Sequence, residues 1–318
     1  MPRHILGLVR AALALIGVCA LALPTARAEA GRVVFRGNRG ESYEIYSMYA
    51  DGSNLRNLSD LNWAADDMPD ISPDGTRVVF SSTRDIGDQI YVMNADGSGQ
   101  RRLTAGSDVN WHPQWSPDGA RILFYRLGSG LYIMDADGQH ERWLADSRAG
   151  GDWSPDGARI VYRDPAHRDL MTISPNGADM TPVGIRGLDP WLSSPAWSPD
   201  GLSIAFTQKR DPGSEVFTVN ADGTRVRNRT QMGRWAREPA WTSDGARIVF
   251  SAQADGGTSL FTMLADGGDI QRLMHAAGHD SYASWHGGSD LTRAVAARGK
   301  WPVSWGWLRS AGVSVGTR

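Results

Sequence analysis

From Arg32 onward the chain alternates short runs of branched and aromatic residues with polar corners rich in aspartate and glycine. Arg77-Val78-Val79-Phe80, Arg121-Ile122-Leu123-Phe124, Arg159-Ile160-Val161-Tyr162 and Arg247-Ile248-Val249-Phe250 are typical runs. They are too short for helices and carry the residues that favour a pleated sheet, so they predict β-strands. The corners come in two phrases. One reads ISPDG at Ile71 to Gly75, WSPDG ending at Gly119, Gly157 and Gly201, and WTSDG ending at Gly245, with glycines 44, 38, 44 and 44 residues apart. A degenerate sixth copy starts at Trp285. The other phrase, of the ADG type, ends at Gly52, Gly97, Gly138, Gly177, Gly223 and Gly267. Aspartate-glycine supplies the positive φ of a tight hairpin, and proline after serine sets φ at the first turn position. Two corner phrases sharing one period near 40 to 45 residues mark a propeller or solenoid.

Each copy holds four strands. One ends at the tryptophan, one follows SPDG, a third precedes ADG, as in Ile90-Tyr91-Val92-Met93-Asn94, and a fourth follows it, as in Arg101-Arg102-Leu103-Thr104. That is a propeller blade. The second, third and fourth strands occur six times, starting at Arg32 to Phe35, Ile45 to Tyr49 and Leu55 to Leu58, but the first copy lacks its first strand. A spare strand, Tyr282 to Trp285, lies at the other end. The prediction is an all-β six-bladed β-propeller of four-stranded antiparallel blades, its ring closed by a C-terminal strand that joins the first blade and removes the open edge. Residues 29–286 form this one domain, and a tryptophan-rich tail, 287–318, with Trp301, Trp305 and Trp307, is expected to pack on the ring.

Residues 1–28 read as a signal peptide. Arg3 and Arg10 precede an apolar run, Ala11 to Leu23, and Ala26-Arg27-Ala28 has the small-x-small pattern of a cleavage site after Ala28. The run falls short of the roughly 20 residues that span a membrane, so export without a membrane anchor is expected. Cys19, the one cysteine, lies in this segment, leaving the mature chain without disulfides, as suits a bacterial periplasm. The mature chain carries 30 basic and 35 acidic residues. That balance excludes a general affinity for nucleic acid. Nothing in the sequence calls for an oligomer, so a monomer is expected.

The stretch IYVMNADGSGQRRLT, Ile90 to Thr104, followed by PQWSPDGARILF, Pro113 to Phe124, resembles the repeat of the TolB-type, WD40-like six-bladed propeller family. The likeness runs from residue 32 to about 286 and recurs in every copy. It implies a periplasmic, non-enzymatic scaffold that holds a protein or peptide on its channel face, as TolB does in the Tol-Pal envelope system with the peptidoglycan-associated lipoprotein. TolB-type proteins place an extra α/β domain before the propeller. Here the first strand starts at Arg32, so a stand-alone propeller is expected, and interactions assigned to that domain do not carry over. Similar repeats occur in oligogalacturonate lyases, which makes a metal-assisted enzyme acting on acidic glycans the alternative.

Candidate chemistry lies where the fourth strand of one blade crosses to the first strand of the next, because those crossings converge on the central channel. Counting back from Ile71, Trp115, Trp153, Trp241 and Trp285 places Asp67, Asp70, His112, Asp152, Glu238 and Asp280 there. Most are acidic, and a ring of carboxylates focuses a negative potential suited to a basic partner segment or a divalent cation. Asp70 and Asp152, directly before the strand-end aromatic, have a second reading as acceptors for neighbouring backbone amides. Trp111, Trp191 and Trp235 lie in the crossings and extend the predicted partner-binding face, whereas the tryptophans of the repeat itself read as packing between blades. No catalytic residue is assigned. His112 is the one histidine at a repeat-equivalent rim position, while His275, His279 and His286 lie near the ring closure. No metal or cofactor site is assigned.

Overall fold

A computed structural model describes residues 31–166, 169–185, 192–254, 256–274 and 278–287, which form six four-stranded antiparallel sheets. Blade one contains β1 (Arg32–Asn38), β2 (Tyr43–Tyr49) and β3 (Arg56–Asn57). Blade two contains β4 (Asp66–Ile71), β5 (Arg77–Ser82), β6 (Gln89–Asn94) and β7 (Arg101–Arg102). Blade three follows with β8 (Asn110–Trp115), β9 (Arg121–Arg126), β10 (Gly130–Asp135) and β11 (Arg142–Ala145), and blade four with β12 (Asp152–Trp153), β13 (Ile160–Arg163), β14 (Leu170–Ile173) and β15 (Thr181–Pro182). Blade five is β16 (Leu192–Trp197), β17 (Ser203–Arg210), β18 (Gly213–Asn220) and β19 (Arg227–Asn228). Blade six is β20 (Ala236–Trp241), β21 (Arg247–Ala254), β22 (Gly257–Leu264) and β23 (Gln271–Arg272), and β24 (Ser281–His286) follows. Among the described residues no helix is long and apolar enough to cross a membrane.

The ring closes as the strand count predicts. Sheet order β24-β1-β2-β3 completes blade one, with Arg32 opposite His286, Val33 opposite Trp285 and Val34 opposite Ser284. The proposed cleavage after Ala28 and the packing of the tail beyond Gly287 lie outside the described residues.

Corner chemistry explains the register. In the first SPDG turn the Ser72 hydroxyl donates to Asp74 at 2.5 Å, Thr76 N–H donates to Asp74 Oδ1 at 3.0 Å, and Gly75 takes φ 70°. The same bonds recur at Ser116, Ser154, Ser198 and Thr242. At the ADG corners glycine is required twice over: Gly97 has φ 91°, and a Cβ there would stand 2.5 Å from the Leu58 carbonyl oxygen of the preceding blade.

Packing runs between blades as well as within them. Phe35, Phe80, Phe124, Tyr162, Phe206 and Phe250 occupy equivalent second-strand positions, and all are fully buried. Five of these rings lie against a third-strand aromatic, Tyr46, Tyr91, Tyr132, Phe217 and Phe261, with centroids 5.6 to 5.9 Å apart. Trp115 packs with Val79, Ile90 and Leu103 of the preceding blade, and Trp153 with Leu123, Leu131 and Leu144. These repeat tryptophans are therefore inter-blade wedges. Burying each large apolar side chain contributes roughly 1.5–3 kcal/mol.

A third repeated device was not read from the sequence. Arg39, Arg84 and Arg126 each lie over two aromatics of their own blade, 4.3 to 5.6 Å from the ring centres. Each also holds the residue five before the strand-end position: Arg39 pairs with Asp280 at 2.7 Å, Arg84 grips Asp66 with two bonds of 3.0 Å, and Arg126 donates to Asn110 at 2.9 Å. The arginine surplus is thus partly structural.

Candidate functional site

The six inner strands, β24, β4, β8, β12, β16 and β20, enclose a channel with a cavity of about 300 Å³. One ring of its lining comes from the position three before each strand-end aromatic: Tyr282, Met68, His112, Gly150, Ser194 and Glu238. Five of them take positive φ, Met68 52°, His112 51°, Ser194 49°, Glu238 58° and Tyr282 51°. In those five blades the pairing between the first two strands slips at this point. The bulge turns a side chain that would otherwise face a neighbouring strand toward the channel axis. Left-handed backbone is costly for residues with a Cβ, and four of the five are followed by proline and the fifth by alanine, in a strand paired along its length with its neighbour. Blade four differs. Gly150 stands at the ring position, a Cβ there would collide with the His112 side chain, and β12 shrinks to two residues. This is the blade preceded by the short, 38-residue step.

The ring is chemically lopsided. Glu238 accepts from the Ser251 hydroxyl and from Tyr282 N–H at 3.3 Å. Arg36 lies between the Tyr43 and Tyr282 rings, 4.4 and 5.0 Å from their centres, and donates to Asp67 at 2.7 Å. Burial pushes the Tyr282 phenol above its ordinary range, helped by the Glu238 and Asp67 carboxylates. His112 sits edge-on to Tyr282, 5.6 Å between ring centres. Burial pulls its imidazole down to about 4, so it is neutral at physiological pH. Ser194 and Gly150 add little or no side chain to the ring, and Gly150 packs directly against His112.

A second tier lies one residue before the strand-end aromatic. Asp70 accepts from Trp115 N–H of the next blade at 2.7 Å and from the Ser284 hydroxyl at 2.6 Å. Asp152 accepts from Trp197 N–H at 2.7 Å. Ser284 Oγ in turn receives Ile71 N–H at 3.3 Å. Desolvation raises Asp70 to about 6 and Asp152 to about 7, the latter with a push from the Asp70 charge. Both line the channel, and both are committed to holding adjacent blades together, as the second reading of their position foresaw.

The remaining predicted residues disperse. Asp67 is tied to Arg36 beside the ring. Asp280 does not reach the channel: its side chain is fully buried against Arg39. Trp111 lies inside β8, donates its indole N–H to Asp88 and leans on Tyr125 at 6.5 Å, which turns it away from the mouth. Trp235 is 42% exposed at the start of blade six, with the Arg237 guanidinium 5.0 Å from its ring. Trp191 lies outside the described residues, as does His275. Met68, Gly150, Ser194 and Tyr282 were missed. The signal that finds them is positional, three residues before the repeat tryptophan and mostly followed by proline, and it carries no characteristic residue type.

Among the described residues no group of three or more His, Cys, Asp or Glu side chains is placed to hold a metal ion. Fold and channel together define a six-bladed propeller whose central site is lined by apolar residues and by the carboxylates of Asp70, Asp152 and Glu238. The family model for the TolB beta propeller domain matches residues 19–187 and 131–300, and the chain belongs to that family. The structure of TolB from Acinetobacter baumannii superposes with a TM-score of 0.71 at 17% identity, covering 80% of this chain and 66% of that one. The chain thus spans just under two thirds of that protein's length. A chain assigned as TolB from Agrobacterium tumefaciens gives 0.62 at 18% identity, covering 79% and 91%. An oligogalacturonate lyase in complex with manganese gives 0.51 at 16% identity, covering 78% and 74%. At these identities the likeness establishes the shared fold. No curated protein matches the chain.

Proposed function

We propose that this propeller is a periplasmic, non-enzymatic scaffold that binds a protein or peptide partner at its channel mouth. The observation that carries the reading is the ring of five left-handed residues, Met68, His112, Ser194, Glu238 and Tyr282, whose backbone strain is spent on presenting side chains to the channel. Left-handed backbone at the same channel position in five of the six blades supports this reading. The ring offers a neutral imidazole, a carboxylate, a thioether and a phenol, a mixture that suits a peptide's amides and apolar side chains. It does not assemble an acid–base pair. Asp70 and Asp152 are occupied by backbone amides, and His112 has no carboxylate partner among the described residues. The apolar run Ala11 to Leu23 with Ala26-Arg27-Ala28, together with membership of the TolB propeller family, supports export to the periplasm.

The test is capture of partners from an envelope extract by the wild type, a His112→Ala/Glu238→Ala variant, and a His140→Ala control on an exposed hairpin. Loss of a partner from the channel variant alone is the expected outcome, and recovery of the same set by all three proteins sinks the proposal. Metal analysis of the purified chain addresses the glycan-enzyme alternative. A stoichiometric transition metal that His112→Ala removes would favour the lyase-like reading instead.

A further inference from the structure

The antiparallel order of each blade puts its first-to-second and third-to-fourth strand hairpins on the face opposite the channel mouth. On that face the residue two beyond the glycine of the SPDG phrase recurs as arginine: Arg77, Arg121, Arg159 and Arg247. In blades two and three it lies over the tryptophan of the following blade. The Arg77 guanidinium is 4.4 Å from the Trp115 ring centre and that of Arg121 is 5.0 Å from Trp153. Arg121 also approaches Asp118 Oδ2, in its own turn, at 3.9 Å. Arg159 and Arg247 turn into their own blades instead, donating to the Asp179 carbonyl at 2.8 Å and to Asp269 at 3.0 Å. Blade five has no arginine here at all. Its residue is Ser203, and Trp241, the tryptophan that follows, has no cation over its ring among the described residues.

The space left is a cavity of about 360 Å³ bounded by Ser203, Trp241, Asp200, Asp244, Asp266 and Arg229. Each aspartate has one oxygen committed to its own turn. Asp200 Oδ1 accepts from Leu202 N–H at 2.9 Å, Asp244 Oδ1 from Ala246 N–H at 3.1 Å, and Asp266 Oδ1 from Gly268 N–H at 2.9 Å. Their Oδ2 atoms accept no bond among the described residues. Arg229 is the one cation at the wall among the described residues and is already held, donating to Thr218 Oγ1 at 2.7 Å and to the Asp266 carbonyl at 2.8 Å. Three carboxylates against one guanidinium leave the cavity negative.

We infer that this cavity is a receptor site for a guanidinium group supplied by another molecule, stacked on Trp241 between Asp200 and Asp244, where blades two and three use their own arginine. A planar guanidinium both stacks on an indole and forks to carboxylate oxygens, which a lysine ammonium cannot do at once. The ligand class is therefore an arginine side chain or a comparable guanidinium compound. The site is on the opposite face from the channel mouth and stands or falls independently of the proposed partner binding there.

The test uses the full chain with N-acetyl-arginine amide as probe and the lysine and glutamine amides as controls, following the Trp241 indole N–H resonance by NMR, assigned with Trp241→Phe. A saturable shift with the arginine probe, weaker with lysine and absent with glutamine, is the expected result. Ser203→Arg restores the repeat and is expected to weaken probe binding by about tenfold or more while keeping the thermal midpoint at or above the wild-type value. Asp244→Asn, which keeps the turn acceptor, is expected to weaken binding without unfolding. An unmoved wild-type resonance, or binding by Ser203→Arg and Asp244→Asn equal to that of the wild type, overturns the inference. So does a gain of about tenfold when Arg293, Arg298, Lys300, Arg309 and Arg318 are all changed to glutamine, because the site would then belong to the chain's own arginines.

Discussion

Asp70→Asn is the substitution whose consequence the structure specifies most closely. Asp70 is 9% exposed, and burial raises its carboxyl from 3.8 to about 6, against the bonds from Ser284, Trp115 and Ile71 that favour the ionised form. Between those two values the folded chain keeps a proton that the unfolded chain has released, so the slope of stability with pH is negative. The contribution is fully present below about pH 4 and is lost as pH rises through about 6. At 1.36 kcal/mol for each pKa unit, about two units correspond to about 3 kcal/mol. Asparagine keeps a carbonyl oxygen for Trp115 N–H and carries no charge. The variant should match the wild type to within about 1 kcal/mol near pH 4, the scale of one altered hydrogen bond. It should be more stable by about 2–3 kcal/mol near pH 7.5. Asp152 adds to the difference, because part of its rise comes from the Asp70 charge. His112, lowered to about 4, gives a slope of opposite sign in both proteins, which cancels in the comparison. Urea unfolding followed by tryptophan fluorescence across this pH range measures the effect. Parallel stability profiles for the two proteins would refute the account of Asp70 as a desolvated carboxylate.

Three further outcomes follow from the packing and the channel. Phe206→Ala, at a fully buried ring position, should cost about 3–5 kcal/mol in thermal or urea unfolding, whereas Leu202→Ala, at a residue 68% exposed, should stay within about 0.5 kcal/mol. Arg84→Ala strands the fully buried Asp66 and should cost about 3–5 kcal/mol. Arg84→Lys should recover little of it because the two-bond grip is lost, while Asp66→Asn added to Arg84→Ala should recover part, as a double-mutant cycle will show. An NMR titration of His112 should give a midpoint near 4; a midpoint near 6.5 would mean the imidazole is solvated and the ring wider than described.

The architecture was legible because it is written many times. Ser-Pro-Asp-Gly dictates the same hairpin wherever it occurs, and the unmatched strand around Trp285 allowed ring closure to be deduced from counting. The site was legible only in part. Position relative to the tryptophan put His112 and Glu238 in the channel correctly, and the amide-holding role of Asp70 and Asp152 followed from their place beside it. Charge misled at Asp280 and aromaticity at Trp111, since whether a crossing residue faces the axis depends on a bulge that shifts pairing by a residue. That shift shows in φ at Met68, Ser194 and Tyr282 and has no side-chain signature. The arginine braces at Arg39, Arg84 and Arg126 were equally hidden, because their partners lie in a different strand whose distance in sequence varies from blade to blade.

Closure through β24 also sets an order of assembly. Blades two to six are each built from neighbouring stretches of chain and can pair as soon as those stretches emerge, but blade one waits for Ser281–His286 to meet Arg32–Asn38. Until that meeting, Val33 and Val34 present an unpaired backbone edge, the kind of surface on which chains stick to one another. A chain of this design is most exposed to aggregation in the interval between emergence of its earliest hairpin and arrival of its last strand, and a circular permutant that makes β24 and β1 contiguous would shorten that interval.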